Sequence, residues 1–157
     1  MKIQCWTIGK NNEAYVSPGI EDFTKRINRY YPFQWVIIAP PKNAASMTSE
    51  ELKKQESKLL LDRLTKEDYL VALDENGRQM DSVTLADFVQ KRANENCRQM
   101  IFLIGGAFGI HESLIARADY KWSLSALTFP HQLVRLILAE QVYRACTIQR
   151  NEKYHHS

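Results

Sequence analysis

The sequence predicts an α/β fold in which helices cover both faces of a parallel β-sheet. Strand-like and helix-like segments alternate along the whole chain, which is the order produced by helical crossovers between parallel strands. Two of the strand candidates, residues 69–73 and 100–104, are almost entirely apolar, as expected when both faces of a strand are buried. The chain has 157 residues, so we expect residues 1–157 to form a single domain.

Five segments have the length and composition of β-strands. Each is rich in aliphatic, aromatic or β-branched residues and ends at glycine, proline or polar residues. They are residues 2–8, 33–39, 69–73, 100–104 and 120–124. The polar residues 74–77 are predicted to form a turn after the third strand.

Five helices are predicted between and after these strands. They span residues 17–30, 48–64, 83–94, 111–118 and 130–146. Thr48 and Glu51 have the spacing of a capping box at the start of the second helix. Asp81 or Ser82 is expected to cap the third, and Pro130 suits the first position of the last.

Composition narrows the class of protein without identifying it. No apolar run approaches the roughly 18 residues of a membrane span, and the N-terminus lacks signal-peptide features, so we expect a cytoplasmic protein. The net charge of +3 permits a nucleic-acid partner but does not argue for one. Cys5, Cys97 and Cys146 lie far apart in the sequence and are predicted to be reduced, buried thiols.

Three junctions between strands and loops are candidate ligand sites, because open α/β sheets bind ligands at the carboxyl ends of their strands. The first follows Leu73. The second is the glycine-rich segment 105–109, GGAFG, which lacks the spacing of a phosphate loop or a dinucleotide fingerprint and could equally be a tight turn. The third, residues 123–129 (SLSALTF), combines hydroxyl and apolar side chains, and could instead only cap the last helix.

The last predicted helix is apolar in almost every direction around its axis. A helix of this kind must be buried on most sides, and a second subunit could cover it at the end of a small domain. We therefore expect a homodimer formed through this helix, with Arg135 and Arg144 near the contact. Burial of the helix within one chain is the alternative.

The C-terminal tail combines basic and aromatic residues, among them Arg150, Tyr154 and His155. This combination suits a phosphate backbone and a stacked base, although a frayed terminus is also possible. Adjacent histidines are poor ligands for a single metal ion, and no metal site is predicted. His131 opens the last helix, where the helix dipole favours a neutral imidazole.

Several longer motifs make the family recognisable. They are YLVALDENG at 69–77, FLIGGAFG at 102–109, WSLSALTFPHQLVR at 122–135, AEQVYRA at 139–145 and NEKYHH at 151–156. On these motifs the whole chain resembles the ribosomal RNA large subunit methyltransferase H family, a minimal branch of the SPOUT methyltransferases.

The resemblance implies a fold, a reaction and a set of residues. It implies a homodimeric SPOUT-like α/β knot with a C-terminal trefoil knot, and methylation of N3 of a pseudouridine in 23S ribosomal RNA by S-adenosyl-L-methionine. The cofactor residues of the family correspond to Leu73, Gly105, Leu124, Ser125, Ala126, Leu127, Thr128 and Phe129. Positions associated with the RNA substrate correspond to Arg144, Tyr154 and His155.

A mechanism follows from the resemblance as a hypothesis. His155 would accept the N3 proton, because histidine can exchange protons near neutral pH. Arg135 and Arg144 would stabilise negative charge on the neighbouring carbonyl oxygens or hold phosphates. Because the net charge is modest, we expect a preference for the assembled ribosome over free RNA. Two other hypotheses are a ribosome-associated protein that binds the cofactor without turnover, and a nucleotide-binding enzyme that uses GGAFG.

Overall fold

The computed structural model describes residues 1–156 and contains a five-stranded sheet in which every neighbouring pair of strands is parallel. The strand order is β2-β1-β4-β3-β5. The strands are β1 (Lys2–Ile8), β2 (Phe33–Ile38), β3 (Asp68–Arg78), β4 (Gln99–Ile104) and β5 (Tyr120–Trp122). The predicted α/β class is confirmed.

Helices cover both faces of this sheet. They are α1 (Ser17–Ile27), α2 (Ser49–Arg63), α3 (Ser82–Asn94), α4 (Glu112–Arg117) and α5 (His131–Gln149). On one face α5 packs against both α1 and α3, and on the other α2 packs against α4. The capping box of Thr48 and Glu51 is present, and Asp81 caps α3 by accepting the backbone N–H of Thr84.

The core follows the alternation of side chains along β4. Met100, Phe102 and Ile104 pack toward the face with α1, α3 and α5, whereas Ile101 and Leu103 pack toward α2 and α4. All five side chains are buried, which explains why β4 reads as a continuous apolar run.

β3 is longer than predicted, since residues 74–77, predicted as a turn, lie within its bounds, which run to Arg78. Residues 74–77 have no partner in β5: Leu73 and Arg78 both lie opposite Trp122, so Arg78 returns to contact β5 and the four residues between form an irregularity in the pairing. Gly77 permits this contact, since a Cβ there would lie 2.6 Å from the Lys121 carbonyl. As a result Asp74 and Glu75 extend past the carboxyl end of β4.

Two helix ends also differ from the prediction. α1 ends at Ile27 rather than at Tyr30, because the Asn28 side chain bonds both the N–H and the carbonyl of Phe33 and turns the chain into β2. α5 continues past Cys146 to Gln149, where the Gln149 side chain donates to the Ala86 carbonyl of α3. Within residues 1–156, none of the helices is both long and apolar enough to cross a membrane.

Candidate functional site

A cleft of about 210 Å³ lies at the carboxyl edge of the sheet, where the segments after β3, β4 and β5 meet. It is lined by Leu73, Asp74, Glu75, Ile104, Gly105, Gly106, Gly109, Ile110, Trp122, Ser123, Leu124, Ser125, Leu127, Thr128, Phe129 and Val134. The three junctions singled out in the sequence therefore form one cavity. Of the predicted cofactor residues, Ala126 alone lies outside this lining and is exposed.

The glycine segment is packed closely at its first two positions, and at Gly105 the neighbours include backbone atoms of Gly109. A Cβ on Gly105 would lie 2.5 Å from Ile110 Cγ1, and one on Gly106 would lie 2.6 Å from the carboxylate oxygens of Glu56. Gly109 has a positive φ of 88°, and its N–H donates to the Gly106 carbonyl over 3.1 Å. The backbone of this segment is thus fixed against the cleft.

The segment from Ser123 to Phe129 is held by its own hydroxyl groups. The Ser123 hydroxyl donates to the Ser125 carbonyl over 3.1 Å, and the Ser125 Oγ accepts the backbone N–H of Leu127 over 3.0 Å. Because these hydroxyls are engaged internally, the cleft is walled by backbone and by apolar side chains such as Leu127. This wall suits a flat heterocycle held by backbone groups.

His131, at the start of α5, connects α5 to the glycine segment. Its Nε2 lies 2.7 Å from the Gly105 carbonyl oxygen and 3.4 Å from Thr7 Oγ1. Because a carbonyl only accepts, the imidazole donates Nε2–H to Gly105. Burial of the ring is the main cause that lowers the pKa of His131, and the charge of Arg135 lowers it further. The direction of this shift agrees with the neutral side chain predicted from the sequence.

Arg135 lies elsewhere than the sequence suggested. Its side chain is 0% exposed and donates to the Lys10 carbonyl and to Asn12 Oδ1 in the segment after β1. It sits inside the chain because its position on α5, one turn after His131, faces that segment rather than solvent. Arg135 therefore does not join Arg144, and its contacts are those of a residue that holds residues 10–12 in place.

Arg144, Tyr154 and His155 do form a cluster, and Glu140 is its centre. One Glu140 oxygen accepts Arg144 Nε over 2.9 Å, Arg144 Nη2 over 2.6 Å and the Tyr154 hydroxyl over 3.1 Å. The Arg144 guanidinium also lies 4.7 Å from the centre of the Tyr154 ring. Burial, and then the Glu140 charge, raise the pKa of Tyr154, so its hydroxyl stays protonated. We call Glu140, Arg144, Tyr154 and His155 the tail cluster.

The contact between Arg144 and His155 selects one tautomer of the neutral histidine ring. Arg144 Nη1 lies 3.1 Å from His155 Nδ1, and a guanidinium can only donate. Nδ1 is therefore the acceptor, and a neutral ring carries its proton on Nε2. In this arrangement His155 offers an N–H donor, a role different from that of the proton acceptor expected from the sequence.

The cleft and the tail cluster lie at opposite ends of α5. His131 and Arg144 are thirteen positions apart, which corresponds to about 20 Å along a helix. Within one chain the tail cluster therefore does not reach the cleft. A second copy whose α5 runs in the opposite direction could bring its tail cluster to this cleft.

Sequence reasoning missed three acidic residues of these sites. Glu140 precedes Arg144 by four residues on a helix, a spacing that signals an ion pair. Asp74 and Glu75 were assigned to a turn, yet they line the cleft. Two carboxylates beside backbone and apolar walls suit a ligand with a flat ring and a positively charged part, and S-adenosylmethionine is such a ligand. In the described part of the chain, no three His, Cys, Asp or Glu side chains cluster as metal ligands.

The chain is similar to known proteins over nearly its whole length. The family model described as predicted SPOUT methyltransferase matches residues 1–155. The chain is 47% identical to a ribosomal RNA large subunit methyltransferase H from Cytophaga hutchinsonii, over 99% of this chain and 100% of that protein. It is 42% identical to the protein of the same name from Geobacter metallireducens, over the full length of both.

A solved structure supports the fold independently. A probable methylase family protein from Haemophilus influenzae Rd KW20 superposes with a TM-score of 0.57, covering 99% of this chain and 70% of that one, at 13% identity. At this identity the likeness concerns the fold alone. Taken with the full-length relatives, the chain belongs to the SPOUT methyltransferases and, within them, to the ribosomal RNA large subunit methyltransferase H family.

Proposed function

We propose that this protein transfers the methyl group of S-adenosylmethionine to N3 of a pseudouridine in 23S ribosomal RNA, on the assembled ribosome and in the cytoplasm. The observation that carries the proposal is the cleft that the segments after β3, β4 and β5 form together. All but Ala126 of the residues that the resemblance assigns to the cofactor line this cleft, and the names of the relatives point to large-subunit ribosomal RNA. We further propose that the C-terminal half forms the trefoil knot of the family.

S-adenosylmethionine would supply an electrophilic methyl group on a sulfonium. The backbone of Gly105 and of residues 124–129 would hold it, and Asp74 and Glu75 would favour its positive charge. Methyl transfer from a sulfonium needs no covalent enzyme nucleophile. The remaining tasks of the protein are to align the acceptor base and to favour the loss of its N3 proton.

The tail cluster is suited to the second task. Loss of the N3 proton leaves negative charge on the two carbonyl oxygens beside N3. The Nε2–H of His155 and the Arg144 guanidinium are donors that can stabilise this charge, while Glu140 and Tyr154 hold Arg144 in place. We therefore propose that His155 acts as a hydrogen-bond donor to the base and that the proton leaves to solvent.

Three substitutions at position 155 and its neighbour test this role. His155→Ala should lower methyl transfer at least tenfold while the affinity for S-adenosylhomocysteine is unchanged. His155→Gln, which keeps a donor near the Nε2 position, should retain much of the lost activity. His156→Ala, at the exposed neighbouring residue, is the matched control. If the Gln variant is no more active than the Ala variant, the donor role is contradicted and the proton-acceptor role is favoured.

The reaction itself is tested with labelled S-adenosylmethionine and purified ribosomes, followed by mass spectrometry of digested 23S RNA. We expect one methylated pseudouridine, and more label in ribosomes than in protein-free RNA. A protein that binds the cofactor and the ribosome but moves no label is the non-catalytic alternative. Tight binding of ATP without binding of S-adenosylhomocysteine would favour a nucleotide-binding enzyme.

A homodimer is proposed because the cleft and the tail cluster of one chain are separated along α5. Mixing a variant with a disabled cleft, Gly105→Ala, and one with a disabled tail, His155→Ala, tests this directly. After random exchange of subunits, half of all dimers contain one chain of each variant. Each of these heterodimers holds one complete site out of two, so about a quarter of the wild-type rate should return. Mixing His155→Ala with Tyr154→Ala should restore nothing. Equal rates in both mixtures would contradict a shared site.

A further inference from the structure

We propose that a surface joining α1 to the C-terminal tail binds the RNA phosphate backbone next to the tail cluster. The surface consists of three tyrosines, each stacked with an arginine, together with nearby exposed cations. The proposal rests on the proposed function, because it takes RNA as the occupant. It assigns a role to α1, which neither the cleft nor the tail cluster uses.

The stacked side chains form a continuous row. Arg150 lies 5.5 Å from the centre of the Tyr30 ring, Arg26 lies 5.4 Å from that of Tyr143, and Arg144 lies 4.7 Å from that of Tyr154. The rings adjoin one another, with centroids 6.4 Å apart for Tyr30 and Tyr143 and 4.8 Å apart for Tyr143 and Tyr154. We call these six side chains the arginine–tyrosine row. It leads from α1 to the tail cluster through Arg144.

Exposed cations continue this row on α1 and on the tail. Lys25 and Arg29 are exposed and four residues apart, so they share one face of α1, and they border the same surface depression as Arg26. Arg150 and Lys153 are exposed on the tail. Among the described residues, none of these four cations forms an ion pair.

Two acidic groups of this surface are already engaged. Asp22 pairs with Arg26 over 3.3 Å, and Glu152 accepts the Tyr30 hydroxyl over 2.8 Å. Among the described residues, the stacked guanidinium of Arg150 forms no ion pair and keeps its N–H groups available for phosphate oxygens, whereas those of Arg26 and Arg144 are bound to Asp22 and Glu140. A surface of unpaired cations beside ordered guanidinium groups is complementary to a phosphate backbone. Its position next to His155 would guide RNA toward the tail cluster.

A matched pair of double variants tests the surface. Lys25→Glu with Arg29→Glu reverses two charges on α1. Lys54→Glu with Lys58→Glu makes the same change, at the same spacing, on exposed positions of α2 across the sheet. The milder Lys25→Gln with Arg29→Gln serves if reversal beside Glu21 and Asp22 impairs folding. Each protein is assayed for co-sedimentation with large ribosomal subunits at several salt concentrations, for binding of S-adenosylhomocysteine and for oligomeric state.

The α1 variant should bind ribosomal subunits at least tenfold more weakly, and the salt dependence of its binding should be shallower by about 1 to 2 in log–log slope. Its affinity for S-adenosylhomocysteine and its oligomeric state should not change, and the α2 variant should bind ribosomal subunits within twofold of the wild type.

Equal losses of binding in both variants, or no loss in either, would overturn the proposal. Dissociation of the α1 variant into monomers would also overturn it and would assign the surface to a subunit contact. If the wild-type protein co-sediments with ribosomal subunits but transfers no methyl group, the proposed reaction is contradicted. The proposed surface is then still tested by comparing the binding of the α1 and α2 variants.

Discussion

Gly105 is the position in the cleft where one added carbon should have the largest effect. A Cβ there would lie 2.5 Å from Ile110 Cγ1 and 3.1 Å from the carbonyl carbon of Gly109, so the glycine segment would have to move. Gly105→Ala should therefore weaken S-adenosylhomocysteine binding at least tenfold, about 1.4 kcal/mol, in titration calorimetry. Ala107→Ser changes an exposed residue of the same segment and should bind within about threefold of wild type. An unimpaired Gly105→Ala variant would contradict a backbone-held cofactor.

His131 should make the stability of the protein depend on pH in mildly acidic solution. Burial lowers its pKa below the unfolded value of 6.5, so between these two values the unfolded chain binds more protons than the folded one. The contribution of His131 to the free energy of unfolding is fully present above pH 6.5. It decreases as the pH is lowered from 6.5 to the folded pKa, by at most about 1.4 kcal/mol per pH unit. His131→Gln should flatten this slope in urea titrations between pH 7 and pH 5. Ala107→Ser, which changes no titratable group, should leave the slope as in the wild type.

Single residues also show what the sequence could and could not predict. Leu73, Gly105 and most of residues 124–129 were predictable because their positions after strands fix them at one edge of the sheet. Arg135 was misplaced because a helical pattern does not say which neighbour covers a polar position. Its partners, the Lys10 carbonyl and Asn12, lie more than a hundred residues away in the sequence.

Among the elements, α2 is stabilised by side-chain hydrogen bonds at its first turn. The capping box satisfies two backbone groups, because Thr48 Oγ1 accepts the N–H of Glu51 and the Glu51 carboxylate accepts that of Thr48. Thr48→Ala should lower the free energy of unfolding by about 1 kcal/mol, measured by urea denaturation. Thr65→Ala, after the end of α2, is the control, since only its backbone N–H and carbonyl form hydrogen bonds. Equal losses in the two variants would argue against the cap.

The bounds of strands and helices were predictable where local sequence signals, rather than pairing with a distant segment, determine them. β4 and α3 lie within one residue of their expected bounds, because an apolar run and a capping aspartate are local signals. β3 exceeded its prediction because Arg78 at its end pairs with Trp122 of β5, which lies about forty residues further along the chain. Asp74 and Glu75 line the cleft at the junction after Leu73, which the sequence marks as a candidate ligand site, although neither side chain was assigned a role.

In the whole molecule, the sequence indicated the two halves of the site but not the distance between them. The glycine segment and the tail were each predictable from their own residues. The length of α5, 19 residues or about 28 Å, separates them. Periodicity indicated that α5 is covered on most sides, and in the described chain Leu133, Leu136 and Ile137 remain only partly buried. These residues are available to a second α5.

Because Cys5 and Cys146 are buried, the rate at which a thiol reagent modifies them measures how often the folded core opens. Burial raises the pKa of the Cys5 thiol well above its usual range and that of Cys146 to about 12, so neither forms the reactive thiolate near neutral pH. Cys97 is only partly buried and should react slowly with Ellman's reagent, giving one modified thiol per folded chain and three in urea. Since Cys146 lies on α5, its labelling rate would follow the separation of that helix from the sheet, and a ligand bound in the cleft should slow it. Rapid modification of all three thiols in the folded protein would show that the core opens more readily than its packing implies.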